Sequence, residues 1–290
     1  MKKRKPAGAQ TLFRVLIAVA LLAFAVTILV PVGWAFLASV KKNSEFYGNP
    51  WALPEGFYFQ NFIDAFEKAN MGAYFLNSVI VTALGLALLL AVALPAAYVL
   101  ARYRFRGRRV LNVAFMAGLF INVNYIVVPI FLMLVGGNEL VGDAVFTNNR
   151  FVVALIYAAT ALPFTIYLLS GYFATLPRDF EEAAYVDGSG YFRTMAQVIL
   201  PMAKPSIITV ILFNFLAFWN EYIISMTLLT DDAVKTLPVG LMNLMKAQNA
   251  AAEYGQMYAG LVIVMLPTLI LYILVQKKLT QGMTVGGIKG

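Results

Sequence analysis

About six runs of this chain are apolar for long enough to cross a bilayer, and that feature constrains the fold more than any other. A spanning helix needs about 20 mostly apolar residues. Such runs lie at about 12–37, 73–100, 110–135, 151–173, 205–229 and 255–275. Pro163 predicts a kink in the fourth. Asn214, Asn220 and Glu221 show that the fifth cannot face hydrocarbon on every side, because unpaired polar groups are costly there. Charged residues make up only 12% of the 290 residues and hydrophobic ones 61%. A soluble domain averages about 25% charged, so there is too little charge here to coat a water-facing surface. The predicted fold class is all-α integral membrane, with about six transmembrane helices in one domain over 1–290 and a helix–turn–helix loop on the cytoplasmic side.

The first run follows Lys2, Lys3, Arg4 and Lys5, which resemble the charged start of a signal peptide. A cleaved signal has an apolar core of about 7–15 residues. This run is longer and continues through Pro31, Gly33 and Trp34, so an uncleaved helix is expected.

Basic residues orient the runs. Lys2, Lys3, Arg4, Lys5, Arg14, Arg102, Arg104, Arg106, Arg108, Arg109, Arg178, Arg193, Lys204, Lys277, Lys278 and Lys289 fall on one set of connections. Only Lys41, Lys42, Lys68, Arg150, Lys235 and Lys246 fall on the other. The positive-inside rule places the richer set in the cytoplasm. Both termini are then cytoplasmic, as an even helix count requires. The Arg102–Arg109 turn is too short for a nucleic-acid domain, and a loop contacting lipid headgroups is the better reading. Outside, short helices are predicted at 59–69 and 241–249.

The chain has no Cys and no His. That removes thiol nucleophiles, thiolate metal sites and histidine-based triads. No G-x-x-x-x-G-K-[ST] phosphate loop occurs. No cofactor is expected in this chain, and if ATP drives it, another chain binds the ATP. A membrane enzyme would need a nucleophile–base pair or metal ligands, and the missing Cys and His remove most options. An ion-coupled transporter, the alternative reading, would want inverted repeats or carboxylates near the midplane; neither is convincing.

The segment with the most specific chemistry is 177–201. Pro177 suits a first helical turn. Asp179, Glu181 and Glu182 place negative charge at the positive end of the helix dipole. Ala183 and Ala184 are strong helix formers of little bulk. Asp187-Gly188 is a stop signal. A second helix is predicted over 190–199, ended by Pro201 because the residue before proline disfavours the α region. The result is a two-helix knob whose small residues permit close approach.

This segment resembles the "EAA" loop of binding-protein-dependent ABC permeases, in the pattern E-A-A, three residues, G, nine residues, I, one residue, L-P. Here it reads Glu182-Ala183-Ala184, Gly188, Val198 and Leu200-Pro201. Val for Ile is the one departure, and it keeps an apolar β-branched side chain. Leu162-Pro163-Phe164, Tyr167-Leu168-Leu169, Trp219-Asn220-Glu221-Tyr222, Thr236 to Leu241, Asn77-Ser78 and the Gly286 to Gly290 tail are similar to the maltose-type carbohydrate permeases with six helices and a short N-terminus.

That resemblance implies a bacterial inner-membrane permease, not an enzyme, that moves a sugar or oligosaccharide by alternating access. It implies a separate cytoplasmic ATPase dimer, a second and different permease, and an extracytoplasmic solute-binding protein, with the lipid bilayer around it. Glu181, Glu182, Ala183, Ala184, Asp187, Gly188, Val198, Leu200 and Pro201 would form the ATPase-coupling surface. Glu182 would pair with a basic group of the ATPase. The tail near Gly290 would reach the ATPase dimer, and the loop between the fifth and sixth helices would probe the binding protein.

The candidate solute path comprises Asn122, Asn124, Tyr125, Asn214, Trp219, Asn220, Glu221 and Tyr222. Asn122, Asn124 and Tyr125 fall within the third run, where amide and hydroxyl groups suit sugar hydroxyls. They are equally able to form interhelical hydrogen bonds. Glu221 lies about 22 Å along its helix from Ser206, at about 1.5 Å per residue, in the outer third of the membrane. Two readings stand for it: a functional acid, or an anchor that packs the helix together with Asn220. Gly85 and Gly118 are expected to allow close helix packing.

Overall fold

The computed structural model describes residues 7–67, 69–251 and 253–286. Lys2 to Lys5, Lys68 and the last four residues of the tail lie outside them. Every regular element among the described residues is helical, and no strand occurs there. In chain order the helices are α1 (Ala7–Ser39), α2 (Glu45–Gly48), α3 (Gln60–Glu67), α4 (Met71–Arg102), α5 (Arg108–Gly118), α6 (Val123–Val141), α7 (Arg150–Thr175), α8 (Asp179–Val186), α9 (Tyr191–Thr194), α10 (Leu200–Met202), α11 (Lys204–Trp219), α12 (Ile223–Leu228), α13 (Leu237–Ala251) and α14 (Tyr254–Gly286). Five of them are long and apolar enough to span, and a sixth span exists if α11 and the preceding bent segment count as one.

The expected runs mostly became these helices, with two corrections. The third run is not one helix. It breaks at residues 119–122, and only α6 reaches spanning length. Asn122 takes an extended backbone and its side chain accepts a hydrogen bond from Asn124 N, which caps α6 and starts a new helix. The fifth run is also interrupted, at Asn220–Tyr222 between α11 and α12. Pro163 lies inside α7, which continues through it from Arg150 to Thr175. The helix predicted at 59–69 is α3, and the one at 241–249 is the longer α13.

The second knob helix also departs from expectation. Pro201 does not end it; helix continues to Met202. Between α9 and α10 the chain makes a π turn over Met195–Ile199, in which Leu200 N donates to Met195 O five residues back. This wider turn leads into a proline that has no N–H to offer an α-type ladder. The chain then bends by 79° between Tyr191–Met202 and α11.

Two compact units divide the chain. The first comprises the residues up to Ala69 together with Asn243–Ile263. Its α1 exposes apolar side chains on all sides from Leu12 to Val30, a surface suited to hydrocarbon. Beyond α1, Lys41 is fully buried. Its ammonium donates to Pro50 O at 2.9 Å and lies 4.8 Å over the Trp34 ring. Asn61 of α3 donates to Ser39 O and Lys41 O. Gly255 fits against this corner because a Cβ there would sit 2.8 Å from Lys41 O.

The second unit comprises Asn70–Met242 and Val264–Gly290. Its core is the pairing of α4 with α7, crossed by α11. Gly85, Leu89, Ala93 and Ala97 recur every fourth residue on α4, and the last three are fully buried. Three of the four, Gly85, Ala93 and Ala97, are small, which lets helices approach closely. A Cβ at Gly85 would meet the Phe218 ring at 3.2 Å and Ala154 O at 3.4 Å. At Gly118 it would lie 2.8 Å from Pro163, so both glycines are points of close packing, as expected.

Candidate functional site

The knob is built by local rules. Asp179, Glu181 and Glu182 occupy the first turn of α8, where the helix dipole favours them. At the other end Gly188 has φ 76°, a left-handed position that glycine takes at low cost. Ser189 N donates to Ala184 O at 2.9 Å and Gly188 N to Tyr185 O at 3.0 Å. These two bonds satisfy the last carbonyls as a Schellman turn does.

Helical periodicity then sorts the side chains. Glu181 and Ala184 face inward and are buried. Glu182, Ala183, Asp187 and Gly188 face outward and are exposed. Val186 is also strongly exposed, at 88%, and adds apolar area to this face beside its acids, while Phe192 of α9 is 73% exposed. Val198 and Leu200 are half-buried, and Pro201 is exposed.

The base of the knob is held by a residue that sequence reasoning read only as a charge. Arg102 ends α4, and its Nε donates to Glu181 Oε1 at 2.9 Å and Oε2 at 3.1 Å. Its Nη1 donates to Leu176 O at 2.9 Å and Nη2 to Pro177 O at 3.2 Å. The two side chains are only 5% and 10% exposed. Glu181, expected on the coupling surface, is therefore engaged within the chain. Tyr103 shares a hydrogen bond with Tyr185 of α8, and Tyr98 packs edge-on against Tyr103 and Phe173. Arg108 donates to Leu100 O and so closes the C-terminal end of α4.

The candidate solute-path residues divide into two groups. Asn214 is buried; its Nδ2 donates to Thr165 Oγ1 of α7 at 3.0 Å and to Val210 O at 2.8 Å. Trp219 is buried, donates to Val264 O and stacks on Phe215. Glu221 accepts from Tyr157 OH at 2.8 Å, Ile224 N at 2.7 Å and Ser225 N at 3.0 Å. Its carboxylate thus caps α12 and ties that helix to α7. Asn220 does not join it but turns back to Leu216 O. Tyr222 opens α12, with its hydroxyl against the Met226 sulfur.

By contrast, Asn122, Asn124 and Tyr125 are exposed at the start of α6, not mid-helix as the uninterrupted run implied. An apolar crevice of about 350 Å³ opens beside them, lined by Gly118, Ile126, Ile130, Met133, Ile156 and Pro163. Its lining suits hydrocarbon better than hydroxyl groups.

At the far end of α4 a second staple appears. Asn77 Nδ2 donates to Ala233 O and Lys235 O, both at 3.0 Å, while its Oδ1 accepts from Arg150 Nη1 at 2.7 Å. Ser78 Oγ accepts from Leu237 N at 2.8 Å. Asn148 Oδ1 accepts from Thr230 N and Asp231 N. Asn77-Ser78 was visible as a motif; Arg150, Asn148, Tyr157 and Thr165 carried no local signal, because their partners are distant in sequence.

Bilayer-length helices with a two-helix knob between two of them define a helical integral membrane protein. The profile of the family described as binding-protein-dependent transport system inner membrane component matches residues 93–285. The diacetylchitobiose uptake system permease protein NgcG of Streptomyces coelicolor is 36% identical over 92% of this chain and 86% of its own length. The melibiose/raffinose/stachyose import permease protein MelC of Bacillus subtilis is 30% identical over 87% of this chain and 88% of its own. A crystal structure of a bacterial ABC transporter involved in the import of the acidic polysaccharide alginate contains a chain of the same fold. It has a TM-score of 0.79 and 26% identity, and covers 95% of this chain and 99% of that one.

The chain belongs to the binding-protein-dependent transport system inner membrane components. It is a multi-pass inner-membrane permease subunit of an ABC importer. Such an importer has a separate ATPase, a solute-binding protein and a partner permease. This removes the ion-coupled alternative.

Proposed function

We propose that this subunit carries a sugar or oligosaccharide into the cytoplasm by alternating access, driven by an ATPase dimer that grips the knob of α8 and α9. The outward face of α8 is the observation that supports this reading. Glu182 and Asp187 offer carboxylates, Ala183 and Gly188 offer little bulk, and Val186 offers apolar area. Glu181 and Ala184 hold the knob from inside. The relatives named for diacetylchitobiose and for melibiose, raffinose and stachyose support a carbohydrate as solute.

In this reading 1–290 works as one permease domain with both termini cytoplasmic. It pairs with a second, different permease, receives solute from an external binding protein, and needs no cofactor of its own. Asn122, Asn124, Tyr125 and Asn220 are the path residues with exposed polar groups. Asn214, Trp219 and Glu221 serve helix packing.

The test is Glu182→Lys combined with Gly188→Asp. A reversed charge meets the basic partner, and a side chain is forced onto φ 76°. Uptake and solute-stimulated ATP hydrolysis should be lost, with membrane insertion intact. Full uptake by this variant would reject docking at the knob.

A further inference from the structure

One guanidinium joins three elements at the base of the knob. Arg102 is the last residue of α4, Leu176 follows the end of α7, and Glu181 sits in the first turn of α8. All three nitrogens of the Arg102 head are used, on two carboxylate oxygens and two backbone carbonyls. Leu176 and Pro177 are the linker through which α7 passes into α8, so the fork grips the hinge as well as the helix. Its surroundings are nearly dry, with the side chains 5% and 10% exposed. A buried ion pair of this kind loses heavily when one partner is removed. Arginine is the residue suited to it, since its planar fork serves several acceptors at fixed angles, which a lysine ammonium cannot reproduce.

We propose that Arg102 is a positioning residue of the coupling step: it makes the knob and the α4–α7 pair one mechanical body, so that force on the outward face of α8 reaches the spanning helices instead of bending the 176–178 linker. The proposal rests on the reading that the ATPase grips that face. Tyr103 and Tyr98 add a second, weaker attachment alongside, through the hydrogen bond of Tyr103 to Tyr185 of α8 and the packing of both rings against Tyr191 of α9. Without the fork, the linker is free to flex, and ATP hydrolysis proceeds with less transport.

The chain has no cysteine, so two spin labels can be placed cleanly at Arg104→Cys and, away from the outward face of α8, at Ala196→Cys in the second half of the knob, both exposed, in the transporter assembled with its ATPase, partner permease and binding protein. In the otherwise native chain the label distance should be single and narrow. Arg102→Ala and Arg102→Lys should both broaden it, and solute imported per ATP should fall about tenfold, because lysine keeps the charge but not the fork. The ATPase should still co-purify, since the outward face is untouched. The exchange Arg102→Glu with Glu181→Arg should narrow the distribution again and recover part of the coupling. Arg102→Lys preserves the positive charge that sets topology, so it carries the test where Arg102→Ala does not insert.

A narrow distance and native solute-per-ATP ratio in both single variants would overturn the proposal. So would loss of the ATPase with the distance unchanged, which would make Arg102 part of the docking surface. If Glu182→Lys with Gly188→Asp transports normally, the docking reading fails, while the distance measurement still decides whether Arg102 holds the knob.

Discussion

Tyr185 lies at the edge of the knob with its hydroxyl joined to that of Tyr103. That hydrogen bond, with partial burial and the nearby Glu181 charge, pushes the Tyr185 hydroxyl up to about 12. Because the folded value is raised, the bond contributes fully below the ordinary tyrosine range near 10 and is lost as pH rises through 12. Tyr103→Phe should return Tyr185 toward the ordinary range. An alkaline tyrosinate titration, with Tyr185→Phe as the blank, measures this; an unchanged value would assign the shift to something other than Tyr103. The adjacent acids Glu181 and Glu182 show the limit of reading at this scale. The sequence placed both on the coupling surface. The period of α8 turns one inward, and its partner Arg102 lies 79 residues away, a pairing no local pattern announces.

Elements were legible where hydropathy alone decides them. The first, second, fourth and sixth runs became α1, α4, α7 and α14, with modest shifts at most ends and α14 running well past the expected 275, to Gly286. The third and fifth runs misled because an apolar stretch looks the same to a hydropathy window whether or not its backbone breaks. Asn122 held the missing signal in the third run: an amide among apolar residues can cap a new helix instead of lining an existing one. Glu221 does the same for the fifth, by binding the first free N–H groups of α12. Pro201 misled for another reason, since the π turn before it changes the ladder into which the proline must fit. The buried amide of Asn214 was legible as a group that could not face lipid; its partner Thr165 was not. Asn214→Leu should destabilise the α7–α11 contact by about 0.6–1.7 kcal/mol, the range measured for interhelical hydrogen bonds in membranes. Denaturation in mixed micelles checks this, and uptake by the folded fraction should persist, because Asn214 is placed in packing and not on the solute path.

Across the whole molecule, the uneven distribution of basic residues carries the orientation. Two positions within the second unit test it: Asp187 on the knob and Ala233 before α13, both exposed. With Asp187→Cys and Ala233→Cys made singly, a membrane-impermeant maleimide added to intact cells should label Ala233→Cys and spare Asp187→Cys. Breaking the cells and stripping off the ATPase should equalise the two. Labelling of Asp187→Cys from outside would invert the topology and remove the knob from any cytoplasmic motor.

Helix α4 is fastened at both of its ends, by Arg102 to the knob and by Asn77 and Ser78 to the 233–237 segment. Between those fastenings run roughly 37 Å of continuous helix, at about 1.5 Å per residue. A rod pinned this way converts tilt into travel: leaning by about 5° over that length carries one end roughly 3 Å sideways relative to the other. Small strokes delivered at the base would therefore arrive at the opposite rim as shifts the size of a hydrogen bond, enough to make or break the staples that hold the rim in place.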